Sequence, residues 1–324
     1  MRVLDLDLDF FQEDVAHFVS DYDGRLDSDN LYVYDGSSLE SVKRSLASVL
    51  NISEDILIEK IVYYYCENLS NFDDNEFLYE EFIDYLGLED EDIRFDYIEI
   101  FHIISTIDNL DTVKEVGLID LRKTLTKETS LNNYLKGKGI EFNVNNDGIY
   151  IIINGNGDDL SKYNKDDTLT DKEYWKAFHG EYLAYRLSFD YNINGFLYLD
   201  NVYKDSNYID LKNESEFLNR LKSFLDTSDL LDSWNEKSEC YILKCRVKTG
   251  QVTLGNGLKW KSEIVEAKKL TKQLIEISIR IIIDFDLRKD KNFPIQYLLV
   301  KDGIDIPFND IKVIEFKELG DWYE

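Results

Sequence analysis

The 324-residue chain carries 65 Asp and Glu against 37 Lys and Arg, a net charge of −28. Its 44% hydrophobic and 14% aromatic residues can fill packed cores, which excludes a disordered acidic tail. The sequence shows no charged-then-apolar leader and no apolar run of about 18 residues, so the expectation is a cytoplasmic protein that does not enter a membrane.

The charge is unevenly spread. Residues 1–99 hold 27 acidic and 6 basic residues, a balance of −21, and the remainder balances at −7. The expected fold class is α+β, with an acidic, mostly helical N-terminal domain over residues 1–93 and a mixed-sheet domain over residues 94–324. Such an acidic surface repels phosphate backbones and suits a basic partner, or imitates a nucleic acid. Cys66, Cys240 and Cys245 are too scattered for a disulfide framework or a metal-spaced set, and each reads as a small buried hydrophobe.

In chain order, MRVLDLDLDFF alternates strictly, so Asp5, Asp7 and Asp9 share one face of a strand at roughly 7 Å spacing. Such carboxylates repel one another unless water, a basic partner or a hard divalent cation relieves them. The segment resembles the LDxDLDFF opening of an uncharacterised arginase-like bacterial family, although no His-rich or HxD ligand motif follows. Residues 37–51 predict an amphipathic helix with Ser37 and Glu40 at capping-box spacing. Residues 54–69 and 76–86 predict two more helices, the last closed by Gly87.

Apart from Glu99 and His102, residues 97–104 are apolar on both alternations, as in a strand buried on both sides. Asp108 is placed to cap the next helix, Leu110, Val113 and Val116 form its stripe, and Gly117 stops it. Residues 120–136 predict a helix with Leu121, Leu125, Leu131 and Leu135 as core. A strand follows at 149–153, then the Asn154-Gly155 turn. The loop NGNGDD lacks the Lys or Arg and the Ser or Thr of a phosphate-cradling loop. Residues 172–191 predict a helix with Trp175, Phe178, Tyr182 and Phe189 on one side. His179 and Arg186, seven residues apart, share nearly one face and offer a diphosphate or ribose contact. Further elements are expected at 196–199 (strand), 214–225 (helix), 240–247 (strand) and 265–284 (helix, or helix into strand). Residues 293–316 read as a strand, a turn at Gly303, Pro307 and a final strand.

FHIISTIDNLDTVKEVGL, NGFLYL and QYLLVKDGIDIPFNDIKVI, in that order, resemble the ADP-ribosyltransferase superfamily, most nearly the DarT toxins. The resemblance implies a toxin or phage-defence protein that takes NAD as substrate. It casts His102 and the residue at position 296 as catalytic, and Thr106, Asn109, Arg186 and Tyr198 as NAD-binding, with Tyr198 stacking on nicotinamide. Breaking the nicotinamide–ribose bond builds positive charge on the ribose, which a carboxylate stabilises. Position 296 holds Gln, which keeps the hydrogen bonds without the charge. Losing such an interaction costs roughly 3 kcal/mol of transition-state stabilisation. That leaves three explanations open: an NAD-binding protein without transferase activity, a deliberate silencing change, or a carboxylate borrowed from Glu263 or Glu266. The acidic N-terminal part would regulate the enzyme or recruit a basic protein or antitoxin, and a nucleic-acid target sits badly with the charge. The competing readings are a non-catalytic acidic binding protein, as a nucleic-acid mimic or immunity protein, and a metal-dependent hydrolase using Asp5, Asp7 and Asp9.

Overall fold

The computed structural model describes residues 31–67, 79–89, 93–145, 148–164, 170–204, 215–227, 229–255, 262–289 and 293–314. The Asp5/Asp7/Asp9 strand lies outside them. In chain order the elements begin with β1 (Val33–Tyr34), α1 (Leu39–Val49), α2 (Glu54–Glu67), α3 (Tyr79–Leu86), β2 (Tyr97–Thr106), α4 (Asp111–Val116), α5 (Leu121–Thr126) and α6 (Ser130–Gly137). The middle contributes β3 (Ile140–Asn145), β4 (Gly148–Ile153), β5 (Asn156–Asp159), α7 (Asp171–Ser188), β6 (Asn194–Phe196), α8 (Leu199–Lys204), α9 (Glu216–Leu225) and α10 (Asp229–Asn235). The chain continues with β7 (Glu239–Lys248), β8 (Val252–Leu254), α11 (Glu263–Ile282), a π-helical turn (Ile283–Arg288), β9 (Tyr297–Val300) and β10 (Ile311–Ile314). The class is α+β.

Seven strands form the main sheet in the order β10-β7-β2-β6-β9-β8, with β1 pairing parallel to the start of β2. The other pairs are antiparallel. β2 is central because its residues are apolar on both faces. Ile98 and Ile100 enter a core under α1, α2, α3 and α11, while Phe101 and Ile103 enter a smaller core with Phe196, Val202 and Ile242. The larger core runs without a break from Tyr34, Val42 and Phe82 to Leu274 and Leu298. The described part of residues 1–93 therefore packs on the main sheet, whatever its difference in charge. A separate core gathers α5, α6, α7, α9 and α10 with the three-stranded sheet β3-β4-β5, around Leu135, Ile151, Leu187, Leu221 and Trp234.

Local expectations hold where a cap or turn decides them. Asp108 accepts the Thr112 amide at 3.0 Å, and Gly117 ends α4 at φ +78°. Asn154 and Gly155 both take positive φ, the hairpin geometry that joins β4 to β5. Other expectations need correction. The N-cap of α1 is Ser38 rather than Ser37, because the Ser38 hydroxyl accepts the Ser41 amide. Val116 is 37% exposed, outside the apolar stripe of a helix only six residues long. The helix expected over 120–136 is two, α5 and α6, since the Thr129 hydroxyl caps the second at the Asn132 amide. Residues 265–282 stay helical despite their β-branched residues, and Cys66 is exposed.

The largest revision concerns α7. Its core side is Ala177, Gly180, Leu183 and Leu187, while Trp175 and Phe189 are 57% and 75% exposed. Gly180 has the Tyr163 ring packed where a Cβ would go, so that side of the helix lies against Tyr163, the 3-10 turn Leu160–Lys162 before it, and α9. The aromatic side faces outward.

Candidate functional site

Pairing brings together segments far apart in sequence. Phe101 on β2 is registered with Phe196 on β6, and Phe196 with Tyr297 on β9. The backbone continues this contact: the Leu197 amide donates to the Gln296 carbonyl at 2.9 Å, and the Asn201 side-chain oxygen accepts the Gln296 amide at 3.3 Å. By strand alternation His102 lies on the side of Ile98 and Ile100, and Gln296 on the side of Leu298 and Val300, all of which face the larger core. Two strand spacings across and two residues along separate their Cα atoms by roughly 12 Å. Between them stands Gly195, where an added Cβ would press on the Phe101 carbonyl. This close approach leaves no room for a side chain between β6 and β2.

His102 is half-buried, and its Nδ1 donates to the Asn194 carbonyl at 2.6 Å. Burial pushes its pKa down, opposed by that hydrogen bond, so the ring is held neutral. Gln296 is half-buried and Asn109 exposed. Asn109 takes φ +52°, and its side-chain oxygen accepts the Tyr241 hydroxyl at 2.9 Å. The hydrogen bond to Glu239, then burial, raise the Tyr241 hydroxyl to about 12.

The other expected ligand contacts are engaged elsewhere. Thr106 is buried, with its hydroxyl donating to Asp108 at 2.5 Å and within 2.9 Å of the Ser130 hydroxyl, so it ties β2 to α4 and α6. Arg186 pairs with Asp190, and its Nε is buried without a hydrogen-bond partner among the described residues. His179 lies two helical turns before it, with its own pKa lowered by burial and by Arg220. Tyr198 is a correction. Its ring is 0% exposed, packs 4.9 Å from the Phe293 ring and points its hydroxyl at Tyr34, 3.2 Å away. Burial, then the Tyr34 charge, push that hydroxyl well above its ordinary pKa. No planar ligand reaches a ring so enclosed.

No family model, curated protein or solved structure matches the chain.

Of the six expected NAD contacts, Thr106 and Tyr198 are buried, Asn109 is exposed, and His102, Arg186 and Gln296 are half-buried. Glu263 packs on Gly250, beside the end where the Lys301 amide bonds Gln251, whereas Gln296 precedes Tyr297 at the opposite end, where Gly255 bonds. Among the described residues no group of three or more His, Cys, Asp and Glu side chains could hold a metal ion, and no helix is long and apolar enough to cross a membrane.

Sequence reasoning missed a buried charged cluster. The Lys244 ammonium lies 2.6 Å from Glu99, 2.9 Å from Asp35 and 2.9 Å from the Ser37 hydroxyl, and Arg246 stands 3.5 Å from the other Glu99 oxygen. Burial, then the Asp35 charge, hold the Glu99 carboxyl above its ordinary range, while Lys244 and Arg246 pull it down. Burial opposes the Lys244 charge, but Asp35 and Glu99 outweigh it and raise its pKa. The signal was Glu99 itself, a lone acid in an apolar strand, beside the alternating Lys244 and Arg246. The cluster pins the β1–α1 loop to β2 and β7.

Proposed function

We propose that the chain is an ADP-ribosyltransferase-like protein of toxin or phage-defence type that binds NAD along the edge between His102 and Gln296. The observation that carries this reading is the placement of β2, β6 and β9 as consecutive neighbours in one sheet. These strands contain or adjoin the three resembling segments, between which 75 and 96 residues of chain intervene. Pairing of Leu118 with Ile306, in both directions at 2.8 and 2.9 Å, adds a second link between the first segment and the last.

The chemistry of the edge fits binding better than turnover. Neutral His102 and uncharged Gln296 offer hydrogen bonds but no negative charge for a developing oxocarbenium ion. We assign the chain NAD recognition with weak or absent glycosyl transfer. Enclosed Tyr198 acts as packing behind the edge. Two features favour a second reading, a non-catalytic acidic protein that binds a basic partner: the net charge and the missing carboxylate.

The test is a thermal melt with NAD in the millimolar range, because a ligand that binds only the folded state raises the melting temperature. The expected result is a rise that His102→Ala removes, with NAD consumption gained or increased in Gln296→Glu. A flat melt, together with no NAD consumption by either chain, would leave only the second reading.

A further inference from the structure

Asp35, Glu99 and Lys244 meet on the side of the main sheet opposite the larger core, since Glu99 alternates with Ile98 and Ile100. β2 lies between β1 and β7, and Tyr34 is registered with Ile98, so Asp35 follows on beside Glu99. Lys244 is registered with Phe101 on β2 and reaches over that strand to both acids. Its Nζ stands 2.9 Å from the Asp35 Oδ2 and 2.6 Å from the Glu99 Oε2, and none of the three side chains is more than 20% exposed. With a carboxylate C–O bond of about 1.2 Å, Nζ lies at most about 4 Å from the Asp35 Cγ, close to attack distance.

We propose that Lys244 and Asp35 condense into an intramolecular isopeptide bond, with Glu99 relaying the protons. The bond formed joins the Lys244 Nζ to the Asp35 Cγ, and the bond broken is Cγ–Oδ2. The ammonium gives up two protons, one before the amine attacks and one from the nitrogen afterwards. Glu99 takes each and passes it to Oδ2, which leaves as water. Glu99 ends as it began, and the step needs no oxidant, cofactor or activated ester. Burial raises the Glu99 pKa, which suits it to take the first proton from Lys244, whose charge Asp35 and Glu99 otherwise hold against burial.

The surroundings favour addition. The Ser37 amide and hydroxyl both donate to the Asp35 Oδ1, at 2.8 and 2.5 Å, and so face the oxygen on which negative charge builds as the amine adds. The Asp35 amide is fixed in turn on the Ser45 hydroxyl at 3.0 Å. Groups held in such geometry react as if at roughly 10⁵–10⁸ M, and burial keeps water from the product. The bond would join residues 209 apart in sequence, tie the β1–α1 loop across β2 and restrict the unfolded chain. The proposal stands apart from the NAD reading.

Stability does not report the bond, because loss of Lys244 weakens an ion pair and a cross-link alike. The experiment is the intact mass of the full chain after folding, with a proteolytic digest that locates any linkage. The expected chain is lighter than its sequence by one water, and a peptide containing Lys244 is joined to one containing Asp35. Lys244→Arg keeps the charge but offers no amine, and Glu99→Gln removes the relay, so both should show the full mass expected of their sequences while still melting cooperatively. Asp35 precedes Gly36, and a succinimide at that pair also loses one water. A deficit that persists in Lys244→Arg would identify the succinimide and overturn the proposal. A parent chain at its full mass overturns it too, and a bond that forms as readily in Glu99→Gln overturns the relay. Where a variant fails to fold, the linked peptide of the parent chain, present or absent, decides by itself.

Discussion

The Glu99 carboxylate lies 2.6 Å from the Lys244 ammonium, on neighbouring strands, with side chains 5% and 11% exposed. Removing one partner of such a pair strands a buried charge. Lys244→Met should destabilise the fold by about 3 kcal/mol, read from the denaturant midpoint. An unchanged midpoint would show that the pair adds nothing.

The same pair sets a pH dependence. Burial raises the folded-state pKa of Glu99 above its unfolded value. The contribution of this group is fully present below the ordinary glutamate range and is lost as pH rises through the raised value. The melting temperature of the parent chain relative to Glu99→Gln should therefore fall as the pH is raised from about 4, the ordinary glutamate range, towards neutrality. A difference that stays flat or rises over that span would contradict this account.

Gly117 takes φ +78°, and a Cβ there would collide with the Ile306 carbonyl oxygen. Gly117→Ala should cost more than about 1 kcal/mol, because it strains the backbone and disturbs the Leu118–Ile306 pairing together. The same substitution at Gly87, also at positive φ but with nothing nearby, should cost less. Equal losses at the two sites would mean that the close approach is immaterial.

The Tyr34 hydroxyl bridges Ser278 at 2.8 Å and Tyr198 at 3.2 Å inside the larger core, where burial raises its pKa to about 12. Tyr34→Phe should cost about 1–2 kcal/mol, since it leaves buried hydroxyls short of a partner. Thermal unfolding of this variant measures the loss, and an unchanged curve would imply that water replaces the bond.

Much of the site's local structure was legible. The alternation of β2, the Asp108 cap and the Gly117 stop are short-range consequences of residue type, and each appears where expected. Arg186 and Thr106 were expected to contact NAD, and their partners Asp190, Asp108 and Ser130 went unread. The expectation for Tyr198 failed for the same reason. An aromatic residue beside a strand reads alike whether its ring meets a ligand or, as here, Tyr34 and Phe293.

By itself the sequence determined the α+β class, the strong acidity and the elements whose periodicity, caps and turns are local. It also marked residue 296 as an uncharged Gln. Only the tertiary structure decided that β2, β6 and β9 are neighbours, that the described residues between 31 and 93 share the core of the main sheet, and that α7 buries its small residues and exposes Trp175, Tyr185 and Phe189. The physical reason is that periodicity records which sides of an element are apolar. Which of them is covered depends on contacts with segments tens to hundreds of residues away, and the pattern of one element carries no address for those.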